Sequence, residues 1–322
     1  MTDTVAAILG PLKRDIEEIN RTLAQRYMNG EGHVANILKH ILSGGKKIRA
    51  ALVLLVARMF ARPLQPFYDL AAAVELLHAA SLIHDDVVDG SHVRRGDTSI
   101  HERWSTEIAV LAGDFLFAEA VSILSRLSRP RLLDVATRAI SDICSGEIHE
   151  LLMDRRAFLS RSAYIQNITA KTASLFGAAV RMSGLLAEIT NERVAYLQAY
   201  GSAFGTAFQI MDDVMDIVSD ETHMGKPTGS DLAGGVVTLP VILHIEQHGM
   251  DAHLDAVLNG DRSPEHVQAV LEAIRSSGMI DLAIREAGEY VRRATDALTA
   301  LPACRERQIM HDLAHGIMVL HD

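Results

Sequence analysis

Two short acidic runs, Asp85-Asp86-Val87-Val88-Asp89 and Asp212-Asp213-Val214-Met215-Asp216, hold the residues best suited to chemistry in this chain. On a helix, residues four apart share a face with Cβ atoms about 5–6 Å apart, so Asp85 with Asp89 and Asp212 with Asp216 form carboxylate pairs. Three carboxylates within five residues repel one another, and Asp is a poor helix former, so each run calls for positive compensation. One such run arises readily in an acidic protein as a solvated helix end. Two, each following an apolar stretch, point to cation binding. Oxygen-only donors suit Mg²⁺, which keeps several waters and shares carboxylates with substrate phosphates, so a diphosphate ligand follows. Zinc is disfavoured, because no His or Cys recurs at ligand spacing near either run. His84 adjoins Asp85 but points elsewhere on a helix. His78, seven residues before Asp85, lies on nearly the same face, roughly 10 Å along the axis.

Bases stand where a diphosphate needs them. Gly44-Gly45-Lys46-Lys47-Ile48-Arg49 places Lys46 and Arg49 three apart at the start of an apolar helix, where backbone N–H groups and the helix dipole add to anion affinity. Arg94 and Arg95 follow the first acidic run, and Lys171-Thr172 and Lys226 flank the second. Each base alone reads as a solvated surface charge, Lys47 in particular. Together with the acidic runs they describe a pocket for two anionic substrates.

The elements that carry these residues are helical. Val194, Leu197, Tyr200, Gly201, Phe204, Phe208 and Met211 recur at three-to-four spacing, no proline falls between Arg131 and Lys226, and no period-two alternation is sustained. Aromatic content of 5% and few β-branched runs also favour an all-α fold. Loops are expected at 43–45, 90–99, 154–162 and 219–235. The length of 322 residues allows one or two domains, but no composition shift marks a boundary, so residues 1–322 read as a single all-helical domain. A net charge of −10 disfavours nucleic acid as partner. Two cysteines, Cys144 and Cys304, give neither a disulfide framework nor a metal site, which fits a reducing, cytoplasmic setting. The N-terminus lacks a signal-peptide pattern, and the apolar windows 50–60 and 70–83 are too short for a membrane span.

Taken in order, these motifs resemble the trans-isoprenyl diphosphate synthases, the polyprenyl synthetase family, over about Leu38 to Pro240. Gly44 to Arg49 is similar to the family's GGKxxR. Leu82 to Asp89 resembles its first aspartate-rich motif, followed by Arg94-Arg95-Gly96. Leu111-Ala112-Gly113-Asp114, Lys171-Thr172, Phe208 to Asp216 and Gly225-Lys226-Pro227 match further segments in the family's order.

The resemblance implies a single bundle of long helices around a central cavity, as a homodimer, with the aspartate motifs facing each other across the cavity mouth. It implies that Asp85, Asp89 and Asp212 ligate Mg²⁺, three ions per site, with Asp86, Asp213 and Asp216 behind them. Arg94, Lys171, Gln209 and Lys226 would complete an allylic diphosphate site, with Thr172 among the catalytic residues. Gly45, Lys46, Arg49, His78 and Arg95 would hold isopentenyl diphosphate without direct metal ligation. Ala80 and Ser81, small residues just before the first motif, imply an open passage and a long product, C30 or above, whose release could involve transient membrane contact. The rival readings are a C15 or C20 farnesyl or geranylgeranyl synthase and a non-catalytic partner subunit of a heteromeric synthase. A terpene cyclase fits less well, since Lys46, Arg49 and Arg95 would lack a second diphosphate. Two departures from the family pattern stand out: Val236 occupies a place where members often carry lysine, and residues 316–322 lack a basic tail.

Overall fold

The apolar residues of Ile48–Met59 surround their helix instead of striping it, so this helix must lie inside the protein; all but two of its residues are buried. The computed structural model describes residues 2–28, 32–42, 44–94, 96–152, 159–218 and 228–319. In chain order the longer helices are α1 (Thr2–Ile8), α2 (Lys13–Leu23), α3 (His33–Leu42), the buried α4 (Ile48–Met59) and α5 (Gln65–Val88). A two-stranded hairpin, β1 (Val93–Arg94) and β2 (Asp97–Thr98), follows, then α6 (Ile100–Arg103), α7 (Thr106–Arg126), α8 (Pro130–Leu152) and α9 (Arg161–Ile168). After a π turn at Thr169–Ala173 come α10 (Ser174–Leu186) and α11 (Asn191–Val218). The chain then forms α12 (Ser230–Gly234), α13 (Leu239–His248), α14 (Ala252–Leu258), α15 (Pro264–Ser276), α16 (Met279–Leu298) and α17 (Arg305–Gly316).

The expected all-α bundle is what forms. The hairpin is a small addition: the segment expected to be loop pairs Val93 with Thr98 and Arg94 with Asp97, turning on Gly96. Two apolar cores result, one around α4, α5, α7, α8 and α10, the other among α13 to α16. The long helices α11 and α16 join them: Leu197, Tyr200, Phe204 and Ala207 serve the first, Ile210, Met211, Val214 and Ile217 the second. Among the described residues both α5 and α7 are long and apolar enough to cross a membrane: the window 70–83 is part of α5, which runs past it at either end, and α7 lies outside both windows read from the sequence. Most of the apolar stretch of α5 is buried against the bundle, whereas α7 leaves much of its own uncovered.

The approach of α10 to α11 is set by glycine. A Cβ on Gly205 would lie 2.7 Å from Ala173 Cα, and one on Gly201 would lie 2.7 Å from the Phe176 carbonyl oxygen. Backbone cannot yield as a flexible side chain can, so Gly205→Ala is expected to lower stability by about 1–3 kcal/mol in denaturant unfolding. Gly234→Ala, where nothing lies within 4 Å, serves as the control and should stay within about 0.5 kcal/mol of wild type. Equal effects at the two positions would contradict the close-approach argument.

Candidate active site

Both acidic runs fall at the C-terminal ends of long helices, α5 and α11, so their carboxylates emerge from apolar stems near the ends of the bundle. Within each run the residues divide by burial. Asp89 and Asp212 are exposed and Asp85 is half-buried, whereas Asp86, Asp213 and Asp216 are buried. The buried three act on the protein itself. Asp86 Oδ1 lies 3.3 Å from Arg94 Nη1. Asp213 accepts from the Tyr164 hydroxyl at 2.6 Å and from Gln209 Nε2 at 2.7 Å. Asp216 accepts from Ser230 Oγ at 2.7 Å and from the Asp231 amide at 3.2 Å, pinning the turn that starts α12.

The π turn Thr169–Ala173 links the two acidic regions. Thr172 Oγ1 donates to Gln209 Oε1 at 2.7 Å, one turn before Asp213. Lys171 reaches the other way, 2.7 Å from Glu147 and 2.9 Å from Glu150, both on α8. Asn167 Nδ2 also donates to Glu150, at 2.7 Å. These two glutamates escaped the sequence reading: they form no repeated run, and only the three-residue spacing Glu147-x-x-Glu150 on an otherwise amphipathic helix could have flagged them. Cys144, one turn earlier on α8, is exposed, and Asp85 and Glu147 are close enough to help burial raise its thiol pKa.

Too few positive charges serve these carboxylates. Burial, aided by Glu147 and Asp89 and opposed by Lys171 and Arg94, pushes the Asp85 carboxyl up to about 7. Burial also raises Asp89 and Glu147, although Lys171 opposes the rise in both. Burial works against the Lys171 ammonium, but Glu150 and Glu147 outweigh it and raise its pKa. Burial and the nearby Asp231 carry Asp213 well above the ordinary carboxylate range, and burial keeps the Tyr164 phenol protonated as a donor. A crowd of hard oxygen donors whose ionisation is disfavoured by burial is a site that gains by taking up cations, so Asp85 and Asp89 fit a Mg²⁺ role chemically, and Asp212 offers a further exposed carboxylate near the end of α11. Among the described residues no three such side chains close on one point.

A separate cavity of about 530 Å³ lies between α3, α5 and the hairpin, lined in part by Gly44, Gly45, Lys47, His78, Asp86 and Arg94. Its loop turns through two glycines with positive φ, and Lys47 follows in the same left-handed region at φ 50°. Lys47 is therefore not the solvated charge its sequence context suggested. It is buried 3.4 Å from Glu75 of α5, and Glu75 also accepts from the Ala50 amide at 3.2 Å. Lys46 is half-buried on the same loop, and Arg49 stacks 4.0 Å over the Phe176 ring. Arg94, assigned by resemblance to the allylic side, lines this cavity while bonding Asp86 and acting electrostatically on Asp85 and Asp89. Arg95 and Lys226 lie outside the described residues. Ala80 is wholly buried, and Ser81 is buried with its hydroxyl donating to the His78 carbonyl at 2.9 Å.

The fold and site together define an all-helical bundle with a carboxylate crowd around the lysine of a π turn, beside a cavity lined by Lys47, His78 and Arg94 and by Glu75, Asp86 and Asp97. The comparisons give the family. Residues 31–275 match the polyprenyl synthetase family. Heptaprenyl diphosphate synthase component 2 of Geobacillus stearothermophilus is 34% identical over 299 residues, 92% of either chain. Geranylgeranyl diphosphate synthase of Methanosarcina mazei is 32% identical over 277 residues, 84% of this chain and 85% of its own. The crystal structure of a polyprenyl synthase from Caulobacter crescentus CB15, complexed with calcium and isoprenyl diphosphate, superposes with a TM-score of 0.92 at 31% identity, covering 98% of this chain and 97% of that one. The chain belongs to the polyprenyl synthetase family of prenyltransferases.

The raised Asp85 carboxyl has a measurable consequence in metal-free protein. Unfolded, Asp85 loses its proton near pH 3.8; folded, it holds it to about pH 7. The unfolded state therefore binds fewer protons between these values, and stability falls as pH rises through that window, with the whole cost present above it. Asp85→Asn removes the ionisation. In EDTA its Tm is expected to exceed that of wild type at pH 8 and to match it near pH 4, and Mg²⁺ with a diphosphate should narrow the gap by stabilising wild type. A variant no more stable at pH 8 than at pH 4, relative to wild type, would show that Asp85 is not under this strain.

Proposed function

We propose that the protein joins isopentenyl diphosphate head to tail to an allylic diphosphate and extends the chain to a long all-trans polyprenyl diphosphate, C30 or above. The observation that supports the reading is the crowd of carboxylates around Lys171, which gains by taking up cations, beside a cavity lined by Gly45 and His78 together with the pairs Lys47–Glu75 and Arg94–Asp86. The allylic diphosphate belongs with Asp85, Asp89 and Asp212, and isopentenyl diphosphate with the loop at Gly45, Lys46 and Arg49 and with His78. Bound Mg²⁺, three ions by family analogy, would supply charge stabilisation to the diphosphate as the allylic C–O bond breaks. Lys171 would exchange its glutamate partners for the departing diphosphate, while the Lys171 and Thr172 carbonyls and the Gln209 side chain, held by the Thr172 hydroxyl, would supply fixed dipoles for the electron-poor allylic carbon. The isopentenyl double bond forms the new C–C bond, and the proton it then loses passes to the released diphosphate, so no dedicated protein base is required.

Chain length rests, by the family resemblance, on Ala80 and Ser81, small residues buried on α5 where a Phe or Tyr would fill more of the space along the helix. The geranylgeranyl synthase relative keeps the C20 reading in play. The relative named as component 2 raises that of a partner subunit. A homodimer suits the uncovered face of α7 and α8, where Leu111, Phe115, Ile148, Leu151 and Leu152 stand exposed. A cytoplasmic setting goes with this reading.

Incubating the purified chain alone with isopentenyl diphosphate, farnesyl diphosphate and Mg²⁺ and sizing the products tests the whole reading. Product of C30 or longer is expected, activity should vanish in excess EDTA, and Asp85→Ala or Asp89→Ala should lower kcat by about 10²-fold, roughly 3 kcal/mol of transition-state stabilisation. No product without an added subunit would favour the partner reading. Ala80→Tyr should shorten the product to C15–C20, assayed from a geranyl primer, with the first condensation largely intact; a wild type that already stops at C20 would overturn the open-passage argument.

A further inference from the structure

Next to the base-lined cavity, and sharing His40 with it, lies a second cavity of about 550 Å³ lined by His33, Asn36, Lys39, His40, Arg103 and Trp104. None of the six is acidic, in a chain with 41 acids against 31 bases. His33, Asn36 and His40 succeed one another at three-to-four spacing on α3, and Lys39 stands three after Asn36, so all four present one broad face of the helix. Lys39 is exposed and has no ion-pair partner among the described residues. On the facing element α6, Arg103 lies 5.1 Å over the Trp104 ring and donates from Nη1 to His40 Nδ1 at 3.2 Å. Its carboxylate neighbour, Asp97, is 3.8 Å away, and the two side chains are 49% and 61% exposed, so this pairing is weak and most guanidinium donors remain available. An ammonium on one wall, a planar guanidinium fork on the other and an amide between them match the oxygens of a diphosphate, with no carboxylate pair that would demand a metal.

We propose that this groove is a further, metal-free binding site for diphosphate, apart from the two substrate sites proposed above, taking either inorganic diphosphate or the head group of a prenyl diphosphate. His40 connects it to the reaction site. Its Nε2 donates to the Thr98 carbonyl at 2.8 Å, while Nδ1 lies within reach of Arg103 and, at 3.3 Å, of Asp97. An anion that engages Arg103 competes for the His40 contact, so occupancy of the groove is felt by the hairpin Val93–Thr98, which carries Arg94 into the wall of the base-lined cavity. The relevance of diphosphate rests on the reaction proposed above, which releases one diphosphate per condensation; the existence of the site does not.

Trp104 is the sole tryptophan, so intrinsic fluorescence of the full-length chain reports this groove. The protein is titrated with inorganic diphosphate, and separately with geranyl diphosphate, in EDTA at constant ionic strength. A saturable change with at least one of them is expected, and which one produces it identifies the source of the head group. Lys39→Ala should weaken the apparent affinity at least fivefold and Lys39→Arg should restore it, while Arg49→Ala, at the isopentenyl diphosphate site proposed above and over the Phe176 ring, should leave it unchanged. No saturable change with either ligand, an equal response to sulfate, an equal affinity in Lys39→Ala, or loss of the signal in Arg49→Ala would each overturn the proposal. The titration contains no isopentenyl diphosphate and no metal, so its failure is separate from failure of the elongation assay.

Discussion

The crowding of carboxylates around Lys171 is the constraint on which the rest of the site depends. Asp85 and Asp89 from α5 and Glu147 and Glu150 from α8 share that lysine, with Arg94 at the edge. In water such a cluster would spread apart. Here the long apolar helices behind it hold the backbones in place, so burial first, and repulsion after it, is kept as raised pKa values at Asp85, Asp89 and Glu147 instead of being relaxed by movement. The bundle therefore supplies the force that keeps an unfavourable charge arrangement together, and bound cations would relieve it. Stability and function pull in opposite directions at these residues, the usual relation where a site is arranged for a ligand it does not yet hold.

The bases of the site are held by acids before any substrate arrives. Lys171 lies between two glutamates, Arg94 is on Asp86, and Lys47 is on Glu75. These contacts have different consequences. Lys47 and Glu75 are both buried, so breaking their pair would strand charge in the interior, and the contact serves to hold a loop whose backbone is left-handed at three residues in succession but one. Lys171 and Arg94 are less deeply enclosed, and under the proposed function a diphosphate would compete for them. The pairing orients the two side chains beforehand, so binding energy would not be spent on ordering them.

What could be read from the sequence follows from how local each signal is. The helical period of α11 and the repeated Asp-Asp-x-x-Asp spacing involve residues within a few turns, and both runs do lie on helices, near the C-terminal ends of α5 and α11. Glu147, Glu150 and Glu75 are different. Their significance comes from partners 21 to 28 positions away, which no period or spacing records. Lys47 was misread for the same reason: a lysine beside another lysine in a glycine-rich stretch looks solvated, and only the burial of Glu75 on the neighbouring helix shows otherwise. The hairpin at Val93–Thr98 escaped because two residues per strand are too few for alternation to register.

The π turn at Thr169–Ala173 shows how packing sets the chemistry. A widened turn is a defect in an α-helix, and it persists only where surrounding structure over-determines it. The glycines of α11 provide that determination: Gly205 brings its backbone against Ala173, at the last residue of the turn, and Gly201 does the same one turn on at Phe176 and Gly177. Phe176 then reaches Arg49, while Phe204 and Phe208 of α11 pack against its ring. Thr172 is thereby placed on Gln209, and Gln209 on Asp213, which Tyr164 fixes from behind. A methyl group added at Gly205 would push apart the two helices whose separation sets the Lys171 and Thr172 positions. It would act on the chemistry without touching a substrate, since geometry at the reacting centre tolerates displacement of far less than a side-chain width.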